Sequence, residues 1–62
     1  MIQICVVVAV SYSLQVVTYV YSDRISALTR AKWLSGQSHN YWERVVVDVF
    51  DIKGEQDERI NI

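Results

Sequence analysis

The stretch that decides the fold is MIQICVVVAVSYSLQVVTYVYS, residues 1–22. It contains no charged side chain, and Val, Ile or Thr fill half of positions 2–21. Two readings compete. In the first, residues 2–21 form one transmembrane helix, since about 20 mostly apolar residues span a bilayer. Arg24, Arg30 and Lys32 follow directly, so the C-terminus would face the cytoplasm, with Tyr19 and Tyr21 near the interface. In the second, the stretch is a pair of β-strands. Its apolar residues are mainly Val, with Leu14 the single Leu. Branched side chains lose rotamer freedom on a helix and fit a pleated sheet. Gln3 and Gln15 would need partners in lipid, whereas both could face water on a sheet. The run also weakens at Ser11-Tyr12-Ser13, where a hairpin would turn. The hairpin is the preferred reading.

A turn of odd length near Tyr12 makes opposed residues share parity. One face then carries Ile2, Ile4, Val6, Val8, Val10, Leu14, Val16, Thr18 and Val20. The other carries Gln3, Cys5, Val7, Ala9, Ser11, Gln15, Val17, Tyr19 and Tyr21. The first face is nearly pure apolar and is expected to form the core; the second is mixed.

Ser22 and Asp23 are good N-caps, and Gly36 suits a left-handed position after a helix. The spacing predicts a helix over Arg24–Ser35. Ala27, Leu28, Ala31 and Leu34 share one side, with Ile25 at its margin. Trp33 falls off that stripe, near Ser26, Thr29 and Arg30. It either packs on the loop 37–44 or a neighbouring strand, or anchors a partner, since Trp, Tyr and Arg are enriched at binding hot spots. Residues 37–41 read as a polar turn. Tyr41-Trp42 leads into a third strand over Arg44–Ile52, interrupted by Asp48 and Asp51. Lys53-Gly54-Glu55-Gln56 reads as a turn, and Asp57–Ile62 as a short edge strand whose charges discourage further pairing.

These elements predict an α+β fold in a single domain over residues 1–62, ordered β-β-α-β with a possible final β. A right-handed crossover gives an antiparallel sheet of spatial order 2-1-3, one helix lying on one face. The other face, with Cys5, Val7, Ala9, Val17, Tyr19 and Tyr21, would be bare. A bare apolar face usually marks an interface, so a second copy or another protein is expected to cover it.

Composition narrows the function. A chain of 62 residues is marginal alone and usually needs a disulfide, a metal or a partner. Cys5 is the single cysteine and His39 the single histidine, which excludes an intrachain disulfide and a zinc site built from them. One buried-type thiol fits a reducing compartment. The net charge is −1, so no direct nucleic-acid binding is expected. Residues 23–35 net +2 and residues 48–62 net −3; these read as a solvated helix side and a solvated tail, or, for the acidic part, as a mimic of DNA. Cys5 lies mid-strand among valines, His39 reads as a solvent-exposed loop residue, and Asp48 and Asp51 are three apart on opposite strand faces, a poor carboxylate pair. No glycine-rich phosphate loop or nucleophile elbow is present. No enzyme and no cofactor are expected.

The order of a valine-rich strand, a second strand ending Val20-Tyr21-Ser22-Asp23, the helix Ile25-Ser26-Ala27-Leu28-Thr29-Arg30-Ala31-Lys32-Trp33, and a valine-rich third strand resembles small β-β-α-β bacteriophage proteins. Inhibitors of host RNA polymerase from podoviruses and several anti-CRISPR proteins share that layout. Ala27-Leu28, Ala31 and Trp33 are its most specific points, within residues 4–52. The resemblance implies a viral protein in the host cytoplasm that occludes a host macromolecular machine by surface binding. Expected partner-binding residues are Arg30 and Trp33 on the helix, Tyr41 and Trp42 in the loop, and Val17, Tyr19 and Tyr21 on the sheet. The alternatives are a single-pass membrane accessory subunit and a dimeric structural or scaffold protein.

Overall fold

The computed structural model describes residues 3–37 and 41–62. His39, read above as a loop residue, lies outside them. Residues 4–21 form a hairpin: strand β1, Ile4–Ser11, and strand β2, Val16–Tyr21. Helix α1, Arg24–Gln37, follows, then strands β3, Trp42–Phe50, and β4, Gln56–Asn61. The four strands make one antiparallel sheet of order β2-β1-β3-β4. The fold is therefore α+β with β1 central and the expected fourth strand at the edge. The membrane-helix reading of residues 2–21 is not what the chain adopts: among the described residues, no helix is long and apolar enough to cross a membrane.

The two hairpins close with the same three-residue turn. Ser11 N–H donates to the Gln15 carbonyl at 2.9 Å, and Asp51 N–H to the Glu55 carbonyl at 2.9 Å. Leu14 N–H donates to the Ser11 carbonyl, and Gly54 N–H to the Asp51 carbonyl, each at 3.0 Å. The side chain that opens each turn accepts from the residue that closes it: Gln15 N–H to Ser11 Oγ, 3.1 Å, and Glu55 N–H to Asp51 Oδ1, 3.0 Å. Such a turn ends on a left-handed residue. Gly54 takes that place with φ 86°, and Leu14 with φ 67°. Glycine holds this backbone freely, whereas a side chain costs about 1–2 kcal/mol. Leu14 is 77% exposed and makes little contact in return. Leu14→Gly should therefore stabilise the fold by roughly 0.5–1 kcal/mol, after subtracting the extra entropy of an unfolded glycine. A thermal melt would show a Tm higher by about 4 °C; an unchanged or lower Tm would contradict the strain.

Asp23 caps α1, accepting from Ser26 N–H at 2.8 Å and Ser26 Oγ–H at 2.7 Å. Those hydrogen bonds favour the charged carboxylate and hold Asp23 below its ordinary range. The other end of the helix differs from expectation. Gly36 is not left-handed, and α1 runs through it to Gln37. A glycine weakens a helix without being obliged to end it.

The helix covers the opposite sheet face from the one expected. Cys5, Val7 and Ala9 are fully buried against Ala27, Ala31 and Leu34, together with Val45, Val47 and Val49 from β3. Val17, Tyr19, Tyr21, Leu28, Trp42 and Ile60 pack around this core. The face that was to be bare is thus the covered one. Cross-strand pairing places Ile4, Val6, Val8, Val10, Val16, Thr18 and Val20 on the other side, with Arg44, Val46, Asp48 and Phe50. There Val16 is 59% and Val20 67% exposed. The reason is shape and connection rather than apolarity. Cys5 and Ala9 opposite Ala27 and Ala31 let the backbones approach closely, and the connection's hand, not the number of valines, selects the face that a crossover helix covers.

Asp48 interrupts the bare face. It is 7% exposed and held by Arg59 from β4, Nε to Oδ1 at 2.7 Å and Nη2 to Oδ2 at 3.2 Å. Gln56 Nε2 also donates to Oδ1, at 3.1 Å. Arg24 at the start of α1 pairs with Glu58 on β4, tying helix to edge strand on the covered side.

Candidate protein-interaction site

β2 ends at Tyr21, and α1 begins three residues later and packs mainly over β1 and β3, with one side turned towards β2. Its residues 25, 29 and 33 recur every four positions and share one side. Between that side and β2 lies a groove of about 470 Å³, lined by Tyr21, Ile25, Ser26, Thr29, Arg30 and Trp33.

Arg30 organises it. Its Nε donates to the Tyr21 hydroxyl at 2.9 Å. The guanidinium lies 5.0 Å from the ring centre of Tyr19 and 4.9 Å from that of Trp33, within range of cation–π attraction to both. The Tyr21 hydrogen bond keeps the guanidinium charged, shifting its pKa further above its already high ordinary value. Neighbouring hydroxyls are turned away: Thr29 Oγ1 donates to the Ile25 carbonyl at 2.8 Å, and Ser26 Oγ to Asp23. The terminal guanidinium nitrogens of Arg30 donate to no described residue. Trp33 is 50% exposed and Ile25 79%. The result is a cation fixed between aromatic rings in an otherwise apolar groove.

Of the residues singled out from sequence, the structure gathers Arg30, Trp33, Tyr19 and Tyr21 into one cluster. The sequence alone suggests two separate contacts, one on the helix and one on a bare sheet face. Val17 is partly buried against the core, as Tyr19 and Tyr21 are, but does not line the groove. Trp33 lies beside Arg30; part of the loop 37–44, on which it was also expected to pack, lies outside the described residues. Tyr41 and Trp42 form a separate pair, ring centres 4.7 Å apart and nearly perpendicular. Tyr41 donates from its hydroxyl to Gln15 Oε1 at 3.0 Å, and its carbonyl accepts from Tyr12 N–H at 3.3 Å. That pair braces the β1–β2 turn. Ile25, expected at the margin of the core stripe, is 79% exposed and lines the groove instead, two four-residue steps before Trp33 with Thr29 between them.

The other candidate groups have structural tasks. Cys5 is a buried free thiol. Asp48 pairs with Arg59, whereas Asp51 accepts from Lys53 N–H at 2.9 Å and shapes the β3–β4 turn. No group of three or more His, Cys, Asp or Glu able to hold a metal occurs among the described residues. No protein family, curated protein or solved structure matches the chain.

Proposed function

We propose that this chain is a non-enzymatic protein-binding module that holds its partner through the groove of Arg30, Trp33 and Tyr21, with Tyr19 supporting Arg30. The supporting observation is the pinned Arg30. A half-exposed Trp and an Arg already held in place lose little freedom on binding, and Trp, Tyr and Arg dominate binding hot spots. The phage-like layout adds the finer reading, a cytoplasmic inhibitor that occludes a host macromolecular machine. The bare face of Val6, Val8, Val10, Val16 and Val20 favours a second reading, self-association, because a patch of that kind is a common interface.

The test pairs two variants in affinity capture from bacterial lysate. Arg30→Glu combined with Trp33→Ala should reduce recovery of captured protein by about tenfold or more, with an unchanged circular-dichroism spectrum. Val8→Lys, on the bare face, should leave recovery intact. Full capture by the double variant would remove the groove from consideration, and loss of capture with Val8→Lys alone would move the interface to the bare face.

A further inference from the structure

The two edges of the sheet are built differently. β4 carries Asp57, Glu58 and Arg59, and its pairing slips between Val49 and Phe50, which leaves Asp57 as an extra residue. Charges and a bulge are the usual protection of an edge strand. β2 has neither. Val16–Tyr21 contains no charge and no proline, and its register with β1 is unbroken.

The hairpin hydrogen bonds show which groups this edge offers. Ser11 and Gln15 are a bonded pair, and bonded pairs recur at every second position of an antiparallel ladder. Val17, Tyr19 and Tyr21 therefore bond to β1. The N–H and C=O groups of Val16, Thr18 and Val20 point outward. The groove lies along the same edge on the helix side, and Arg30 is the single charged group among the described residues that line it.

Resting on the interaction-module reading, we propose that β2 accepts an extended peptide segment of the partner as a fifth strand. Its main chain pairs with Val16, Thr18 and Val20. Every second side chain of an added strand lies on the helix side, so a Glu or Asp meets Arg30 and apolar residues two positions away lie along Ile25 and Trp33. The terminal nitrogens of Arg30 suit a carboxylate. A single-stranded nucleic acid fits less well, because the outward carbonyls of Val16, Thr18 and Val20 would face its phosphates. A second copy fits less well too: its β2 carries no acid, and antiparallel edge pairing would bring both Arg30 residues onto the same side of the joined sheet.

The probe is the blocked peptide Thr-Val-Thr-Glu-Thr-Val-Thr, titrated into isotope-labelled protein alongside its Glu-to-Gln counterpart and a thymidine oligonucleotide. The amides of Val16, Thr18 and Val20 should shift and gain protection from exchange, and the Glu peptide should bind about tenfold tighter than the Gln peptide. Arg30→Gln should abolish that difference. Thr18→Pro removes an outward N–H while sparing the β1 ladder, and it should eliminate peptide binding with the circular-dichroism spectrum unchanged. Binding without change at those three amides would overturn the strand addition, whether or not Thr18→Pro folds. So would preference for the oligonucleotide, no binding at millimolar peptide, or protection of those amides in a dimer without peptide. Peptide binding lost with partner capture retained in Thr18→Pro would remove edge pairing from partner recognition and leave the groove reading standing.

Discussion

Val7→Asp should leave the chain unfolded, while its neighbour substitution Val8→Lys should fold normally. Val7 is completely buried beneath the helix, flanked in the sheet by Tyr19 and Val47. An ionised carboxylate there would have no partner, and burying such a group costs several kcal/mol. At about 0.05–0.15 kcal/mol per residue, a chain of this size has a total stability of only roughly 3–9 kcal/mol. Val8 is one step along the strand and points the other way, between Thr18 and Val46 on the bare face. A lysine there can lay its stem over the neighbouring valines and put its charge in water, at a cost of about 1 kcal/mol or less. Circular dichroism and a thermal melt of the two variants decide the matter. A folded Val7→Asp or an unfolded Val8→Lys would reverse the assignment of faces.

The second large effect concerns the ion pair on the bare face, where the two partners are unequal. Asp48 is nearly enclosed, with a side-chain exposure of 10%, whereas Arg59 is 49% exposed. Arg59→Leu leaves a buried carboxylate with Gln56 as its remaining side-chain partner, and the Tm should fall by roughly 10 °C. Asp48→Leu leaves a guanidinium that can turn into water. The new side chain joins an apolar surface, so the Tm should stay within about 3 °C of the parent. Equal losses from the two substitutions would mean that the pair itself, rather than the enclosed carboxylate, carries the effect.

These contrasts show how much was readable beforehand. The lack of charge, the valine content and the odd turn led to the hairpin, and Val10 does face Val16. Asp23 marked the helix start because capping is a local hydrogen bond. The helix end was not readable, since Gly36 permits termination without requiring it. The choice of covered face failed for a different reason. Both faces of β1 are apolar, so hydrophobicity could not rank them, and the deciding facts involve residues far apart in sequence: the close fit of Cys5 and Ala9 to Ala27 and Ala31, and the direction of the β2–α1–β3 connection. Asp48 was the readable clue, because a charge in a valine strand marks the side that the helix does not cover, but using it required the register between β1 and β3. The site was half legible for the same reason. Arg30 and Trp33 stood out on the helix and Tyr19 and Tyr21 on the strand; their meeting depends on the face the helix covers.

The central position of β1 has a consequence for the chain as it is being made. The ribosome releases Ile4–Ser11 before either of the strands that flank it, and Val7 must pair with both Tyr19 and Val47. Its first neighbour arrives quickly through a local hairpin. Its second arrives only after the whole of α1 has been made. During that interval a two-stranded ribbon without charges exposes an unpaired edge, the state most open to aggregation. Folding on the ribosome should therefore be sensitive to elongation pauses between Tyr21 and Trp42 and relieved by chaperones that bind extended apolar segments. The completed sheet satisfies the edge that β1 exposes while it waits for β3.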